Sequence, residues 1–412
     1  MRFEGYSCRG CGASFGPREA TYRCPRCHGN LDVVPSNARA TRESIASNRD
    51  PSLWRYAPLL PVAVPDAAAG PLRAVGGTPL YRAPRLAARL GLRSLWLKDE
   101  GRMPTASLKD RASAVVVQSA LERGKTPILT ASTGNAGVAL AAMAPCAGLE
   151  AVILVPATAP PAKLTQLRIF GSTLILVRGS YDDAFELSEA AARELGWYCR
   201  NTAQNPFTAE GKKTAAFEIA EQLGWRAPDR VFVSVGDGNI LVGVEKGFRE
   251  LVELGFIDRM PKIMGVQAEG SSPIARAFQA GKGEIEPCTT TTLADSIAAG
   301  RPADGVRALG AVRRTGGAFV IVTDERILEA IVTLGREASV FAEPAAAAAY
   351  AGLAQEAAAG RIGADEEVVV LVTGNGLKDV DAAMRACPSD APTIDPDLAA
   401  LRAVLSQREE KP

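Results

Sequence analysis

Short apolar runs alternate with helical stretches along most of the chain, beginning at Thr78. Seven of these runs have the length and composition of buried parallel strands, at 94–100, 127–132, 150–156, 172–179, 230–236, 262–269 and 367–376. Segments such as 107–124, 135–148 and 183–196 lie between them and have helical character. Strands that alternate with helices and end in glycine turns predict an α/β fold, with parallel sheets covered by helices on both faces.

Two other regions precede this alternation. Residues 1–34 contain a cluster of cysteines, and residues 35–75 are rich in Pro, Ala and Arg, which predicts an extended arm and not a compact unit. With 412 residues, 47% of them hydrophobic, the chain can bury the cores of two domains in addition to a small appendage. The last dozen residues, which end in SQREEKP, are expected to form a frayed helix end.

The charge balance favours small molecules as partners. The chain has 47 basic and 46 acidic residues, so its net charge of +1 gives no electrostatic reason to expect nucleic acid or an anionic membrane. The apolar runs are too short to span a bilayer, and the N-terminus MRFEGYSCRG has no signal-peptide core. We therefore expect a soluble cytoplasmic protein.

Four of the eight cysteines, Cys8, Cys11, Cys24 and Cys27, have the spacing C-x2-C-x12-C-x2-C. Two such knuckles can present four thiolates tetrahedrally, and Zn2+ is the usual occupant of such a site. Because all four ligands would come from the protein, the metal would be structural and not catalytic. The alternative is a knuckle that has lost its metal and kept its fold. The remaining cysteines are scattered singly, unlike those of a secreted disulfide scaffold.

His28 is the only histidine in the sequence, and it lies next to the last of the clustered cysteines. A Ser-His-Asp triad, a Cys-His protease or a helical H-E-x-x-H zinc site would each need a histidine elsewhere. Proton transfer must therefore depend on lysine, carboxylate, hydroxyl or a cofactor.

Three glycine-rich turns follow predicted strands and lead into helices, at 130–137, 234–243 and 372–379. In α/β sheets such turns hold ligands, because helix N-termini and free backbone amides attract anions. Ser132 and Thr133 of the first turn suit a carboxylate, and the glycines of the second allow backbone to close around a phosphate. Each turn alone is weak evidence, since a glycine turn is more often only a connection.

Lys109 lies among small and hydroxyl residues in PTASLKDRASA, at 104–114. A lysine in such a setting can act as a Schiff-base nucleophile toward an aldehyde. The alternative is an ordinary lysine that faces water at the start of a helix. Because the neighbouring turns suit anions, a cofactor that carries both an aldehyde and a phosphate fits the whole set. Asp110 and Arg111 are expected to be a structural pair that orients the turn.

The motifs that carry a family resemblance occur in order along the chain: GGTPL (76–80), PTASLKDRA (104–112), ASTGNAG (131–137), NPFTAEGKKTAAFEIAEQLGW (205–225), VGDGNI (235–240), ADSIAAGRP (294–302), EPAAAAAYAG (343–352) and TGNGLKD (373–379). With them the sequence resembles the fold-type-II pyridoxal-phosphate enzymes related to tryptophan synthase β chain, and within these the threonine synthase family. The likeness extends over almost the whole chain, including the cysteine knuckles and the arm segment LWRYAPLLP at 53–61.

This resemblance implies a cofactor site for pyridoxal 5′-phosphate. Lys109 would form the aldimine with the cofactor and then move protons, while Asn135 would bond the cofactor's 3′-oxygen and Thr373 its pyridine nitrogen. The cofactor phosphate would be wrapped by the backbone amides of Gly236, Asp237, Gly238, Asn239 and Ile240. A neutral hydroxyl at the ring nitrogen suits elimination and replacement chemistry.

The resemblance also implies the substrate site. The substrate carboxylate would be surrounded by Ser132, Thr133 and Asn135. Threonine synthases convert O-phosphohomoserine and water to threonine and phosphate, which needs a second anion site. Candidates for that site are Asn201, Thr202 and Lys212. Glu343 is expected to help shape the pocket.

Four positions depart from the family pattern. Thr208 stands where the family usually has arginine, and Ala136 where it has threonine. Met103 and Leu108 replace the asparagine and phenylalanine of the lysine motif. Because threonine cannot supply the bidentate charge of arginine, these changes bear on the substrate and not on the cofactor.

The family fold implies two interleaved α/β subdomains within 76–412, the smaller at about 110–215, and a homodimer. The main functional hypothesis is threonine synthesis from a phosphorylated small-molecule substrate. One alternative is β-replacement on O-phosphoserine, as in the related cysteate synthase, and another is serine/threonine dehydration. A third alternative is a binding module that kept the fold and lost catalysis, although the retention of Lys109, Asn135 and Thr373 argues against it.

Overall fold

The computed structural model describes residues 2–36, 40–387 and 391–409. The strands in these ranges are β1 (Phe3–Cys8), β2 (Ser14–Phe15), β3 (Leu31–Pro35), β4 (Leu80–Arg82), β5 (Ser94–Asp99), β6 (Ile128–Ala131), β7 (Ala151–Pro156), β8 (Thr173–Val177), β9 (Tyr198–Cys199), β10 (Arg230–Ser234), β11 (Lys262–Ala268), β12 (Phe319–Val322) and β13 (Glu367–Val372). The α-helices are α1 (Arg42–Ala46), α2 (Pro84–Arg89), α3 (Lys109–Glu122), α4 (Asn135–Cys146), α5 (Pro161–Ile169), α6 (Tyr181–Glu194), α7 (Phe207–Lys212), α8 (Thr214–Gln222), α9 (Asn239–Glu253), α10 (Pro273–Gln279), α11 (Gly305–Arg314), α12 (Asp324–Ala338), α13 (Pro344–Ala358), α14 (Val380–Ala386) and α15 (Leu398–Glu409).

The larger sheet has six strands in the order β12-β11-β10-β13-β5-β4. Its strands are parallel except β4, which pairs antiparallel with β5 at the edge. The central strands are continuous apolar runs, as expected for a sheet that is buried on both faces. The predicted α/β fold with parallel-rich sheets is confirmed.

The smaller sheet is parallel and has the order β8-β7-β6-β9. Its strands lie between residues 128 and 199, inside the range expected for the small subdomain. The expectation that 172–179 forms a buried strand was wrong in one respect. Because β8 is an edge strand with β7 as its neighbour, Ile175 and Leu176 are 40% and 43% exposed.

The arm at 35–75 is less extended than its composition predicts. It contains α1 and two 3-10 turns, Leu53–Leu59 and Gly70–Ala74. Trp54 is fully buried, and its indole Nε1 donates to the carbonyl of Leu72 at 2.9 Å. The arm is therefore packed into the core of the protein, and only its residues 37–39 lie outside the described ranges.

A network of buried charges fixes α3 against the larger sheet. Nε of Arg111 lies 2.6 Å from the Glu100 carboxylate and Nη1 lies 2.7 Å from that of Glu218, while Nζ of Lys98 lies 2.6 Å from Glu218. We call these four residues the scaffold ion network. Burial raises the pKa of Glu218, but the charges of Arg111 and Lys98 outweigh it and hold that pKa far below its usual range.

Asp110 and Arg111, which were expected to orient the turn together, do so through different partners. Neighbouring residues on a helix point to different faces, so these side chains diverge. Asp110 instead accepts hydrogen bonds from the backbone and the hydroxyl of Thr105, at the turn that precedes α3. Both residues are nevertheless structural, because each one fixes the helix start on a different side.

The cysteine-rich segment forms a three-stranded antiparallel sheet with the order β2-β1-β3. It packs on the main body, where Asn30 donates to the Asp304 carboxylate at 2.7 Å and Lys246 donates to the Val33 carbonyl at 2.6 Å. In the part of the chain that the structure describes, we find no helix that is both apolar enough and long enough to cross a membrane.

Candidate active site

A cavity of about 830 Å3 is lined by residues that follow strands of both the larger and the smaller sheet, and the glycine turns at 132–136 and 236–240 are among them. It brings together most of the predicted site residues, namely Lys109, Ser132, Thr133, Asn135, Thr202, Lys212, Gly236, Asp237, Gly238, Asn239 and Ile240. The turns directly follow β6 and β10, so the cavity lies at the carboxyl ends of strands in both sheets.

Lys109 is the first residue of α3 and is half-buried at the cavity wall. The backbone before it is fixed by the end of β13, because the Leu108 amide donates to the Thr373 carbonyl at 2.9 Å and the Asn375 amide donates to the Ala106 carbonyl at 3.0 Å. Burial lowers the pKa of Lys109, the charge of Glu343 opposes this shift and the charge of Arg200 adds to it. The net shift favours the neutral amine, which is the nucleophilic and basic form.

The turn before Lys109 is strained. Ala106 has a φ of 60°, in the left-handed region that favours glycine. Ser107 is buried, and its hydroxyl has no hydrogen-bond partner among the described residues. Strain and an unpartnered hydroxyl directly beside Lys109 are typical of a site that is built for a ligand.

Asn135 begins α4 at the end of the first glycine turn. Its amide Nδ2 donates to both carboxylate oxygens of Glu343 at 3.0 Å. Burial raises the pKa of Glu343, whereas its hydrogen bond from Asn135 and the charge of Lys109 oppose this shift. The structure thus shows that Glu343 holds the Asn135 amide in one orientation.

The second glycine turn has the form of an anion cradle. Gly238 has a φ of 93° and precedes the 15-residue helix α9, whose first residue is Asn239. A Cβ at Gly236 would lie 2.9 Å from the Cα of Ile297, so a side chain there would displace the backbone. Free amides at the N-terminus of a long helix suit a phosphate group.

Thr373 is buried at the end of β13, and its Oγ1 lies 3.5 Å from Oγ of Ser234 at the end of β10. Ser234 lines the cavity, whereas Thr373 is not among its lining residues. Sequence reasoning missed Ser234, although its place as the last residue of β10 could have indicated it. The two hydroxyls can donate to or accept from a ring nitrogen.

Lys212 is fully buried and connects the cavity to the cysteine-rich segment. Its Nζ donates to Oδ1 of Asn239, and Nδ2 of Asn239 donates to Asp304 at 2.7 Å. Asp304 accepts in turn from Asn30. Burial lowers the pKa of Lys212 well below its usual value, and the charges of Lys109 and Arg200 lower it further.

The other substrate candidates, Asn201 and Thr202, lie side by side but differ in their surroundings. The amide oxygen of Asn201 accepts from Thr130 at 3.0 Å and from the Ala131 backbone at 2.9 Å, and its amide nitrogen donates to Ser188 at 2.7 Å. Its hydrogen-bonding groups are therefore used within the protein. Thr202 is half-buried and lines the cavity.

Arg200 was missed by sequence reasoning. It is buried directly behind Thr202, and Nη1 donates to the Thr202 hydroxyl at 2.9 Å. We refer to Lys109, Arg200 and Lys212 as the cavity cations, because the charge of Arg200 lowers the pKa of both lysines and the charge of Lys109 lowers the pKa of Lys212. No short sequence motif identifies Arg200. The feature that could have indicated it is its position directly after the edge strand β9.

The four residues that depart from the family pattern lie in different environments in the structure. The Thr208 hydroxyl is buried and donates to the Asn205 carbonyl at 2.7 Å. Ala136 lines the cavity. Met103 is buried and its sulfur accepts from the Gly76 amide at 3.3 Å, and Leu108 is packed in the core of the larger sheet.

The four clustered cysteines place their sulfur atoms within 4.8 Å of one another. The pairs Cys8–Cys27 and Cys11–Cys24 are separated by 3.5 and 3.6 Å. A zinc ion with Zn–S bonds of about 2.3 Å needs sulfur separations of about 3.8 Å. The donor set and its spacing fit a structural Zn2+ ion.

The cavity also fits pyridoxal phosphate. It combines a desolvated lysine, a glycine cradle at a helix N-terminus and a pair of hydroxyls, while the unpartnered Ser107 hydroxyl lies next to the lysine. These are the groups that an aldehyde, a phosphate and a ring nitrogen require.

Solved structures with the same fold include threonine deaminase isoform 2 from Solanum lycopersicum, with a TM-score of 0.64 and 24% identity over 76% of this chain and 87% of that one. Maize serine racemase has a TM-score of 0.63 and 21% identity over 81% of this chain and 92% of that one. These likenesses show the fold.

Sequence comparison is more specific. Residues 72–374 match the model of the pyridoxal-phosphate dependent enzyme family. Threonine synthase of Methanosarcina acetivorans is 40% identical over 403 residues, which cover 97% of this chain and 98% of that protein. Threonine synthase of Methanocaldococcus jannaschii is 39% identical, with 97% and 99% covered. The chain therefore belongs to the threonine synthase family of pyridoxal-phosphate-dependent enzymes.

Proposed function

We propose that the protein converts O-phosphohomoserine and water to L-threonine and phosphate. The observation that carries this proposal is the 40% identity to a threonine synthase over nearly the full length of both chains, combined with Lys109 at the wall of the cavity. The solved structures of deaminases and racemases share the fold at lower identity, so they do not favour a competing activity.

Pyridoxal phosphate, when bound, withdraws electrons from the amino-acid carbons and makes their protons removable. The residues that would hold it are Asn135 at the 3′-oxygen, the backbone of 236–240 at the phosphate, and Thr373 with Ser234 at the ring nitrogen. Glu343 keeps the Asn135 amide turned toward one side, because both of its carboxylate oxygens accept from that amide.

Lys109 is the group that moves protons. Its lowered pKa allows the neutral amine to take a proton from the substrate α-carbon and to return one later. Comparison of substrate and product shows that the bond between the γ-carbon and the phosphate oxygen breaks, the γ-carbon becomes a methyl group, and the water oxygen ends on the β-carbon. Phosphate leaves with the bonding electron pair.

The substrate α-carboxylate has a matching position at the first glycine turn. Ser132 and Thr133 line the cavity at the start of α4, where hydroxyls and the helix N-terminus can hold an anion. Ala136 lies at the same wall and leaves room where a larger side chain would project. This wall would bind the α-carboxylate, the group that all amino-acid substrates share.

The test is a substrate panel. Phosphate and 2-oxo-acid release are measured with O-phosphohomoserine, O-phosphoserine, threonine and serine, using the protein loaded with pyridoxal phosphate. We expect phosphate and threonine from O-phosphohomoserine alone. Rapid formation of 2-oxobutanoate from threonine, or of a β-substituted product from O-phosphoserine, would replace this function with one of the alternatives.

A further inference from the structure

Arg200 is buried, and no carboxylate of the described residues lies within salt-bridge distance of its guanidinium group, although the charge of Asp110 acts on it from farther away. Its side chain has no exposed surface, and Nε and Nη1 donate to the hydroxyls of Ser113 and Thr202 at 3.2 and 2.9 Å. Nη2 has no hydrogen-bond partner among the described residues. A buried cation that lacks a counter-charge is costly to fold, so such a group usually serves a ligand.

Other buried arginines of the chain are neutralised by the protein. Arg111 contacts the carboxylates of Glu100 and Glu218, and Arg307 contacts those of Asp32 and Asp304. Burial opposes the charge of each, but these carboxylates raise the pKa of both guanidinium groups. Burial instead lowers the pKa of Arg200 to about 10. Its positive charge is thus left for something outside the protein.

Arg200 is linked to the cavity by its hydrogen bond to the Thr202 hydroxyl. Because the Thr202 oxygen accepts from Nη1 of Arg200, its own proton is free to be donated to an acceptor in the cavity. Lys212 lines the same cavity, and its pKa is lowered first by burial and then by the charges of Lys109 and Arg200. An anion at this place would relieve the repulsion among the cavity cations.

Two of the anions expected in the cavity already have places. The substrate carboxylate suits the turn at 132–135, and the cofactor phosphate suits the cradle at 236–240. Several carboxylates also line the cavity. Those of Asp182 and Glu186 on α6 are exposed and therefore screened by water, whereas Glu189 is half-buried, and the charge of Asp237 in the second glycine turn raises the pKa of both Lys109 and Lys212. The anion that remains without a place is the phosphoryl group of the substrate.

We propose that Arg200, Thr202 and Lys212 form the subsite for the phosphoryl group of a phosphorylated amino acid, with Arg200 as a positioning residue that acts through the Thr202 hydroxyl. This assignment rests on the proposed function, because that function supplies the phosphoryl group. The family usually has arginine at the position of Thr208, and the Thr208 hydroxyl is already used by the Asn205 carbonyl. In this chain Arg200 would therefore supply the positive charge.

The experiment compares wild-type holoenzyme with Arg200→Met, which removes the charge, and Arg200→Lys, which keeps it. The measurements are KM and kcat for O-phosphohomoserine, and the dissociation constants of inorganic phosphate and of homoserine. We expect Arg200→Met to raise KM and the phosphate dissociation constant about 10- to 100-fold, as for the loss of a charged hydrogen bond. Homoserine has no phosphoryl group, so its affinity should be unchanged, and Arg200→Lys should recover part of the loss.

Two further variants test the route of the charge. Thr202→Val removes the hydroxyl, and its effect should not add to that of Arg200→Met if both act on one anion. Arg123→Met is the matched control, because Arg123 is a half-buried arginine that stacks on Phe207 and is not among the cavity-lining residues. Its KM and phosphate affinity should equal those of the wild type.

Equal loss of homoserine and phosphate affinity in Arg200→Met would overturn the subsite, because it would indicate a merely structural role. An unchanged KM and phosphate affinity would overturn it as well. If Arg200→Met does not fold, Arg200→Lys and Thr202→Val decide by the same criteria. A wild-type enzyme that binds phosphate through Arg200 but does not turn over O-phosphohomoserine would contradict the proposed function and still support the subsite.

Discussion

The scaffold ion network and the cavity cations both include a residue from the first turn of α3, Arg111 and Lys109 respectively, and they differ in how their charges are balanced. In the scaffold ion network each cation contacts a buried carboxylate within 2.7 Å. Among the cavity cations, Arg200 has hydroxyl partners and Lys212 has an amide partner. The first arrangement stabilises the protein as it stands, whereas the second becomes favourable when anionic ligands bind.

The largest expected effect concerns Lys109, the cavity cation that we propose to move protons. Lys109→Ala should reduce kcat for threonine formation by about 10³- to 10⁴-fold or more, because Lys212, which also lines the cavity, is held by its hydrogen bond to Asn239. Phosphate-release assays measure the loss, and circular dichroism checks that the fold is intact. Activity within tenfold of the wild type would show that the proton carrier is another residue.

The second effect concerns the scaffold ion network, in which buried carboxylates balance the buried cations. Glu218→Ala leaves both Arg111 and Lys98 buried with one carboxylate fewer, so the free energy of unfolding should fall by about 3–5 kcal/mol. Urea titration measures it. The control Glu286→Gln removes the exposed pair with Lys282 and should leave stability unchanged. Similar stability of the two variants would show that the buried network is not needed for folding.

The third effect concerns the cradle for the cofactor phosphate. Gly236→Ala would place a Cβ 2.9 Å from the Ile297 backbone, which forces the turn to move. Cofactor binding should weaken by about 1–3 kcal/mol, as for other overpacked sites. Titration of the apoprotein with pyridoxal phosphate measures this. Gly335→Ala on α12, where a Cβ meets nothing within 4 Å and which is not among the cavity-lining residues, is the control.

The fourth effect is one of pH. The charge of Glu343 raises the pKa of Lys109, against the lowering by burial, so removing that charge should move the pKa of Lys109 further down. Cofactor uptake by the apoprotein needs the neutral amine and speeds up as pH rises through this pKa. Glu343→Gln should therefore shift the midpoint of uptake rate to lower pH, measured by stopped-flow absorbance. An upward shift would contradict the electrostatic coupling.

The smallest effect concerns the turn at Ala106, which directly precedes α3. Ala106 adopts a left-handed backbone, and Ala106→Gly removes that strain while it increases the freedom of the unfolded chain. The free energy of unfolding should rise by no more than about 1 kcal/mol. Thermal denaturation measures it, and a loss of stability would show that the Ala106 methyl group contributes more by packing than it costs in strain.

Much of the fold was accessible from the sequence because buried parallel strands are continuous apolar runs. All seven predicted runs contain strands of the structure. Strand β12 was missed, since its four residues are short for periodicity to detect. The arm was misjudged because its prolines suggested an extended chain, while Trp54 and Leu59 anchor it in the core.

The site was predictable where chemistry depends on local motifs, and less so where it depends on distant pairs. Lys109 and the glycine turns at 132–136 and 236–240 line one cavity because parallel strands end on the same side of a sheet. Pairs such as Asn135 with Glu343 join residues that are far apart in the chain. The state of Arg200 depends on the lack of a hydrogen-bond partner for its Nη2 among the described residues, which a motif does not encode.

The hydrogen bond from Asn30 to Asp304 limits how far this protein can be treated as modular. Asp304 also accepts from Asn239, the first residue of the helix behind the phosphate cradle. A chain shortened to start after β3 would keep every predicted cofactor residue and still lose a support of that helix. The boundary drawn at residue 34 from the sequence is thus a boundary in composition, while the residues that support the proposed phosphate cradle lie on both sides of it.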